Sequence, residues 1–202
     1  MTDRQSSPNM GLLQKKYEAD AGRLARFATA RFYRALSAML AQAPARTVFD
    51  AGCGEGHILR EFLDERYDSV YGADLDTARL DYARQQQTNA PVFCGDLHHI
   101  PLPDDAVDLV ICLEVLEHVG QPEIALRELH RVTRRYAILS VPNEPFWRMG
   151  NMARGAYLRD WGNTPEHINH WSYWGFKRFV GQHFRVIASA TPVTWTFVLA
   201  EK

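Results

Sequence analysis

Hydrophobic positions change their period several times along the chain, and each change marks an element. Leu24, Phe27, Ala28, Ala35, Leu36, Met39 and Leu40 recur at helical spacing, which predicts an amphipathic helix ending before Pro44. Residues 47–51 (TVFDA) then form a β-branched, apolar run that stops at Gly52, Gly54 and Gly56, and a helical stretch follows over 57–66. The unit recurs as a strand at 69–74 with a helix at 77–87, a short strand at 92–93, a strand at 107–113 followed by a helix, and a strand at 136–141. Strands alternating with helices predict an α/β fold, a mostly parallel sheet covered on both faces, with ligands at the carboxyl ends of its strands. The end of the chain differs. Residues 184–190 and 193–200 are extended runs separated only by Thr191 and Pro192, which predicts a hairpin and an antiparallel strand. Residues 143–183 are rich in Pro, Trp and Asn, with a helix expected at 173–183, and suit a cap over the strand ends. The expected organisation is one domain over 1–202: a tail at 1–9, a helical segment at 10–43, a core at 45–142, the cap, and the hairpin at 184–202.

Composition bounds the picture. The 202 residues are 46% apolar and 23% charged, as in a soluble globular domain. Apolar runs reach only about five residues, as at 109–113, against the ~20 that a membrane-spanning helix needs. The polar N-terminus carries no secretion signal, so a cytoplasmic location is expected. Cys53, Cys94 and Cys112 show neither disulfide nor zinc spacing. Net charge is −1 but uneven: −11 over residues 35–130, +4 over 10–34 and +6 over 131–185. An acidic middle between basic flanks suits a cationic ligand with an anionic group nearby, although solvated surface charge produces the same asymmetry. All five tryptophans lie beyond residue 146.

The chemistry concentrates at Asp50-Ala51-Gly52-Cys53-Gly54-Glu55-Gly56, between the first strand and its helix. Glycines there bring backbone close to a ligand and leave helix N-terminal amides free. The spacing is GxGxG rather than the GxGxxG of dinucleotide sites, and acids in the turn would repel a pyrophosphate. Such an acid can instead hold the ammonium of an amino acid. Asp74, at the end of the next strand, is placed to accept from a ribose diol. Asp96, after the third strand, is placed to accept from an adenine amine.

These segments, FDAGCGEGH, YGADLD, FCGDLHHIPLPDDAVDLVICLEVLEHV and SVPN, resemble the S-adenosylmethionine-dependent methyltransferases with a Rossmann-like fold over residues 45–142. The resemblance implies a seven-stranded sheet with its last strand antiparallel. It also implies S-adenosylmethionine as cofactor, bound by Asp50, Gly52, Cys53, Gly54, Gly56, Asp74, Leu75, Asp96, Leu97 and Leu113. Asp76 departs from the small polar residue common in relatives and is expected to cap the following helix.

A second constellation follows the fourth strand. If a helix begins there, Glu114 shares a face with Glu117 and His118, and the cap adds His167 and His170. Glu114, Glu117, His118 and His167 resemble the metal-binding set of the small-RNA 2′-O-methyltransferases and of the ubiquinone-pathway O-methyltransferases, which implies Mg²⁺ or Mn²⁺. The competing reading makes these residues structural, or simple bases, with His118, His167 and His170 as the catalytic candidates. In the cap, Phe146, Trp147, Arg148, Arg154, Tyr157, Arg159, Trp161, Trp171, Tyr173 and Trp174 interleave aromatics with arginines. They suit either a planar substrate or a mini-core. Phe176, Phe179 and Val180 read as core, and His57, His98 and His99 as surface. The expected activity is methyl transfer to a small-molecule acceptor, at oxygen. RNA 2′-O-methylation with a divalent metal, or non-catalytic binding of S-adenosylmethionine, are the alternatives.

Overall fold

The computed structural model describes residues 23–202 apart from Gln87, Arg154 and Ala156 and the side chains of Leu24, Ala153 and Arg159. The expected tail at 1–9 and the start of the N-terminal helical segment lie outside the described residues. After helix α1 (Arg23–Leu40) come β1 (Thr47–Ala51), a π-helical turn (Leu59–Leu63), β2 (Ser69–Asp74), α2 (Thr77–Gln85) and β3 (Val92–Cys94). Strand β4 (Val107–Leu113) leads through a 3₁₀ turn (Leu116–His118) to α3 (Pro122–Val132) and β5 (Thr133–Pro142). The cap holds α4 (Phe146–Ala153), a 3₁₀ turn (Leu158–Asp160) and α5 (Tyr173–Val180), before the hairpin of β6 (Arg185–Ala190) and β7 (Trp195–Glu201).

The strands form one sheet in the order β3-β2-β1-β4-β5-β7-β6, in which β7 alone runs antiparallel to its neighbours. The cause is visible in the strand residues, which are apolar on both faces and so require cover above and below. Phe49, Val110, Cys112 and Leu139 face a core closed by Leu126 and Leu129 of α3 and by Phe176 and Phe179 of α5. Val48, Leu109, Ile111 and Ile138 face a second core with Leu36 of α1, Leu59, and Leu80 of α2. Burying such a side chain completely stabilises the fold by about 1.5–3 kcal/mol.

The strand order reverses direction between β1 and β4, and there the loops after the two strands part to leave a crevice. One local expectation fails at its edge. The chain does not turn helical at Glu114, which takes a left-handed φ of 60°, and α3 begins only at Pro122, where a proline can start a helix without losing a bond. Helix α5 is also shorter than expected, starting from a Ser172 cap on the Gly175 amide and ending at Gly181. No helix among the described residues is long and apolar enough to cross a membrane.

Candidate functional site

The crevice is a cleft of about 1190 Å³ at the carboxyl ends of β1, β2 and β4, roofed by the cap. Its floor is the glycine turn. Gly52 has φ 85°, and a Cβ placed on it would lie 2.4 Å from Val115 Cγ2, so both conformation and close approach demand glycine. The amides of Gly52 and Cys53 donate to the Ala73 carbonyl at 2.7 and 2.9 Å, tying the turn to β2. Asp74 is held by two backbone donors, Gly54 to Oδ2 at 2.8 Å and Asp76 to Oδ1 at 2.9 Å. Asp76 caps α2 as expected, accepting from Ala78 and Arg79. Asp50 is 3% exposed, and burial, with Asp74 nearby, pushes its carboxyl up to about 7. Burial and the same two acids push the Cys53 thiol up. Across the cleft, the Asp96 carboxylate accepts from the His98 amide at 2.9 Å and meets its ring at 2.7 Å; these bonds hold it below the usual carboxylate range.

The opposite wall joins two distant segments. Glu117 is buried, His167 is 7% exposed and His118 is exposed, and one ligand atom from each falls within 4.8 Å of the others. His118 Nδ1 is 2.9 Å from the Glu166 carbonyl, and its Nε2 is 3.8 Å from Glu117 Oε1. Trp147 stacks on His167 at 5.6 Å and donates through Nε1 to Thr164 Oγ1 at 3.2 Å. Glu114 is not in this group. Its left-handed backbone sends the carboxylate to accept from Ser140 Oγ at 2.9 Å, at the cleft wall but outside the cluster.

Residues 49–141 match the methyltransferase domain family. This segment is a methyltransferase domain, and its relatives include S-adenosylmethionine-dependent methyltransferases. It is 42% identical over 94 residues to a malonyl-[acyl-carrier protein] O-methyltransferase of Yersinia pestis, a match covering 46% of this chain and 34% of that protein. A ubiquinone biosynthesis O-methyltransferase of Pseudomonas paraeruginosa is 39% identical over 95 residues, 44% of this chain and 40% of its own length. The matches thus span about a third to two-fifths of these relatives. Among solved structures, the magnesium protoporphyrin IX methyltransferase of Synechocystis PCC 6803 with bound S-adenosylhomocysteine superposes with a TM-score of 0.75 at 18% identity, over 97% of this chain and 95% of that one.

Within the methyltransferase domain, Asp50, Gly52, Cys53, Gly54, Asp74, Leu75, Asp96, Leu97 and Leu113 all line the cleft. Gly56 does not: a Cβ there would lie 3.0 Å from Ala83 Cβ, so this glycine lets the turn pack against α2. His118 and His167 line the cleft, whereas His170 is outside its lining and pairs through Nε2 with Asn163 Oδ1 at 2.7 Å. His57 and His98, expected at the surface, are half-buried lining residues, and burial lowers the His57 imidazole; His99 is exposed as expected. Of the cap aromatics, Trp147 and Tyr157 reach the cleft, Trp171 packs on Phe176 and Phe179, and Trp161 and Trp174 are exposed. Arg154 and the Arg159 side chain lie outside the described residues. Sequence reasoning missed Val115, Thr164 and Asn169, whose roles depend on partners far away in the chain. Only the Asn in EHINHWS offered a signal.

Charge around the cleft is one-sided. Eight carboxylates and two arginines line it among the described residues, which favours a cationic ligand. Part of the basic stretch at 131–185 serves elsewhere. Arg131, Arg134 and Arg185 pair with Glu128, Asp108 and Glu201 toward the strand ends away from the cleft.

Proposed function

We propose that this protein transfers a methyl group from S-adenosylmethionine to the oxygen of a small-molecule acceptor. The carrying observation is the buried Asp50 carboxyl beside a glycine turn and the backbone-oriented Asp74, in an acidic cleft. Asp50 would face the ammonium of the amino acid portion, Asp74 the ribose diol, and Asp96 the adenine amine, with Leu75, Leu97 and Leu113 against the apolar surfaces. The bound cofactor supplies an electrophilic methyl on a positively charged sulfur. The protein's part is to orient the acceptor hydroxyl, exclude water beneath the cap and take the hydroxyl proton. His118 and His167 are the cleft-lining bases for that proton; His170 lies outside the lining. The names of the O-methyltransferase relatives support oxygen as the accepting atom. An RNA acceptor is disfavoured, because phosphate would approach a carboxylate-lined cleft.

The test is titration calorimetry with S-adenosylhomocysteine, with NAD as the control. Stoichiometric binding of the first alone is expected, and no binding in any buffer overturns the reading. Turnover on a pool of hydroxylated acceptors then separates an enzyme from a cofactor-binding protein that does not turn over.

A metal-assisted version is supported by the grouping of Glu117, His118 and His167. Without Glu114 the donor set is one oxygen and two imidazole nitrogens, which fits Mn²⁺ or Zn²⁺ better than Mg²⁺. A bound ion would lower the pKa of a coordinated hydroxyl. Heat released on Mn²⁺ addition, absent in Glu117→Gln, is the expected signature.

A further inference from the structure

The segments carrying His118 and His167 precede and follow β5 in the chain, and the Asn169 side chain bonds twice across them. Asn169 Nδ2 donates to the carbonyls of Leu116 at 3.0 Å and Val119 at 2.6 Å, the two ends of the 3₁₀ turn. The amides of Ile168 and Asn169 donate to the Glu117 carbonyl between them, at 2.9 and 3.0 Å. Three carbonyls of one short turn are thus met by two consecutive cap residues. Only an amide of this length serves both outer carbonyls: an Asp of the same shape has no hydrogen to donate, and Ala has no donor at all.

The fastening has a chemical consequence at His118. Its Nδ1 sits 2.9 Å from the Glu166 carbonyl oxygen, which can only accept, so Nδ1 carries the hydrogen. In the neutral ring Nε2 then bears the lone pair, on the side of the Glu117 carboxylate and the His167 ring. We infer that Asn169 is a positioning residue: by locking the 116–119 turn to the cap, it holds His118 on the Glu166 carbonyl with Nε2 bare toward the cleft. The value of a bare Nε2, as proton acceptor or ligand, rests on the methyl-transfer reading; the lock itself does not.

The experiment is nitrogen-15 NMR of the histidine-labelled full chain at pH 8 in chelator, with His118 assigned from a His118→Gln sample. In the unaltered protein His118 is expected to show a protonated Nδ1 and an unprotonated Nε2. In Asn169→Asp and Asn169→Ala it is expected to shift toward the Nε2-protonated form. These variants should keep a cooperative melt and bind S-adenosylhomocysteine within about twofold of the unaltered protein, since the Asn169 side chain bonds to Leu116 and Val119 and not to the glycine turn, Asp74 or Asp96. An Nδ1-protonated His118 persisting in folded variants, or an Nε2-protonated ring in the unaltered protein, overturns the proposal. Should the variants not fold, the unaltered protein still decides: both Asn169 side-chain amide hydrogens should exchange slowly with solvent, and fast exchange overturns the lock. Failure of the unaltered protein to bind S-adenosylhomocysteine overturns the cofactor reading instead and leaves the tautomer result standing.

Discussion

The two walls of the cleft are built on different terms. The wall proposed to hold the cofactor is an extension of the sheet: Gly52 and Cys53 hang from the Ala73 carbonyl, and Gly54 is bound to Asp74, so its geometry is inherited from the β1–β2 register. The wall proposed to face the acceptor has no such frame. Glu117 and His118 sit on a short 3₁₀ turn, His167 on an irregular cap segment, and the two are joined by the side chains of Asn169 and His118 and by backbone bonds to the Glu117 carbonyl. A wall set by strand pairing changes only if the sheet changes. A wall set by loop-to-loop bonds can be replaced piece by piece, which suits its proposed part in choosing an acceptor.

The largest break in this contrast should come from Gly52→Ala. Left-handed backbone and a collision with Val115 together predict a loss of about 3 kcal/mol in stability, read by denaturant unfolding, and no detectable binding of S-adenosylhomocysteine. Asp50→Asn should separate binding from folding. The neutral amide removes a poorly solvated charge, so the melting temperature at pH 8 should rise, while affinity for S-adenosylhomocysteine falls about 100-fold, or ~3 kcal/mol, the upper range for a bond to a charged group.

The same residue predicts a pH dependence. Its folded-state value of about 7 lies above the ordinary aspartate value of ~3.9, so the fold favours the neutral form. Its contribution to stability is most favourable below pH ~4 and declines as pH rises to about 7. A ligand ammonium reverses that preference, so affinity should increase between pH 6 and 8, and this slope should vanish in Asp50→Asn. Asp74→Ala should cost about 1–3 kcal/mol of S-adenosylhomocysteine affinity, measured by calorimetry; unchanged affinity would remove the ribose assignment. The smallest effect on that ligand is expected from Glu117→Gln, within about twofold, because Glu117 groups with His118 and His167 rather than with Asp50, Asp74 or Asp96.

The amino-acid sequence by itself determined the glycine-turn wall of the cleft and the sheet around it. Asp50, Gly52, Gly54, Asp74 and Asp96 were legible because each lies at a strand end, where a local change of period and a glycine turn announce it. The hairpin that places β7 antiparallel was legible for the same reason, being two extended runs with almost nothing between them. Helical spacing misled at Glu114, because three-and-four proximity holds only if a helix starts there; the left-handed backbone instead turned the carboxylate to Ser140. Tertiary structure alone decided that Glu117, His118 and His167 meet, that His170 does not join them, and that Val115 requires Gly52 to lack a side chain. Local pattern records which face a residue turns to its own strand or helix. Contacts between the turn at 116–119 and the cap at 166–169 form only after β5 has crossed the sheet between them, and no periodicity within either segment encodes that meeting.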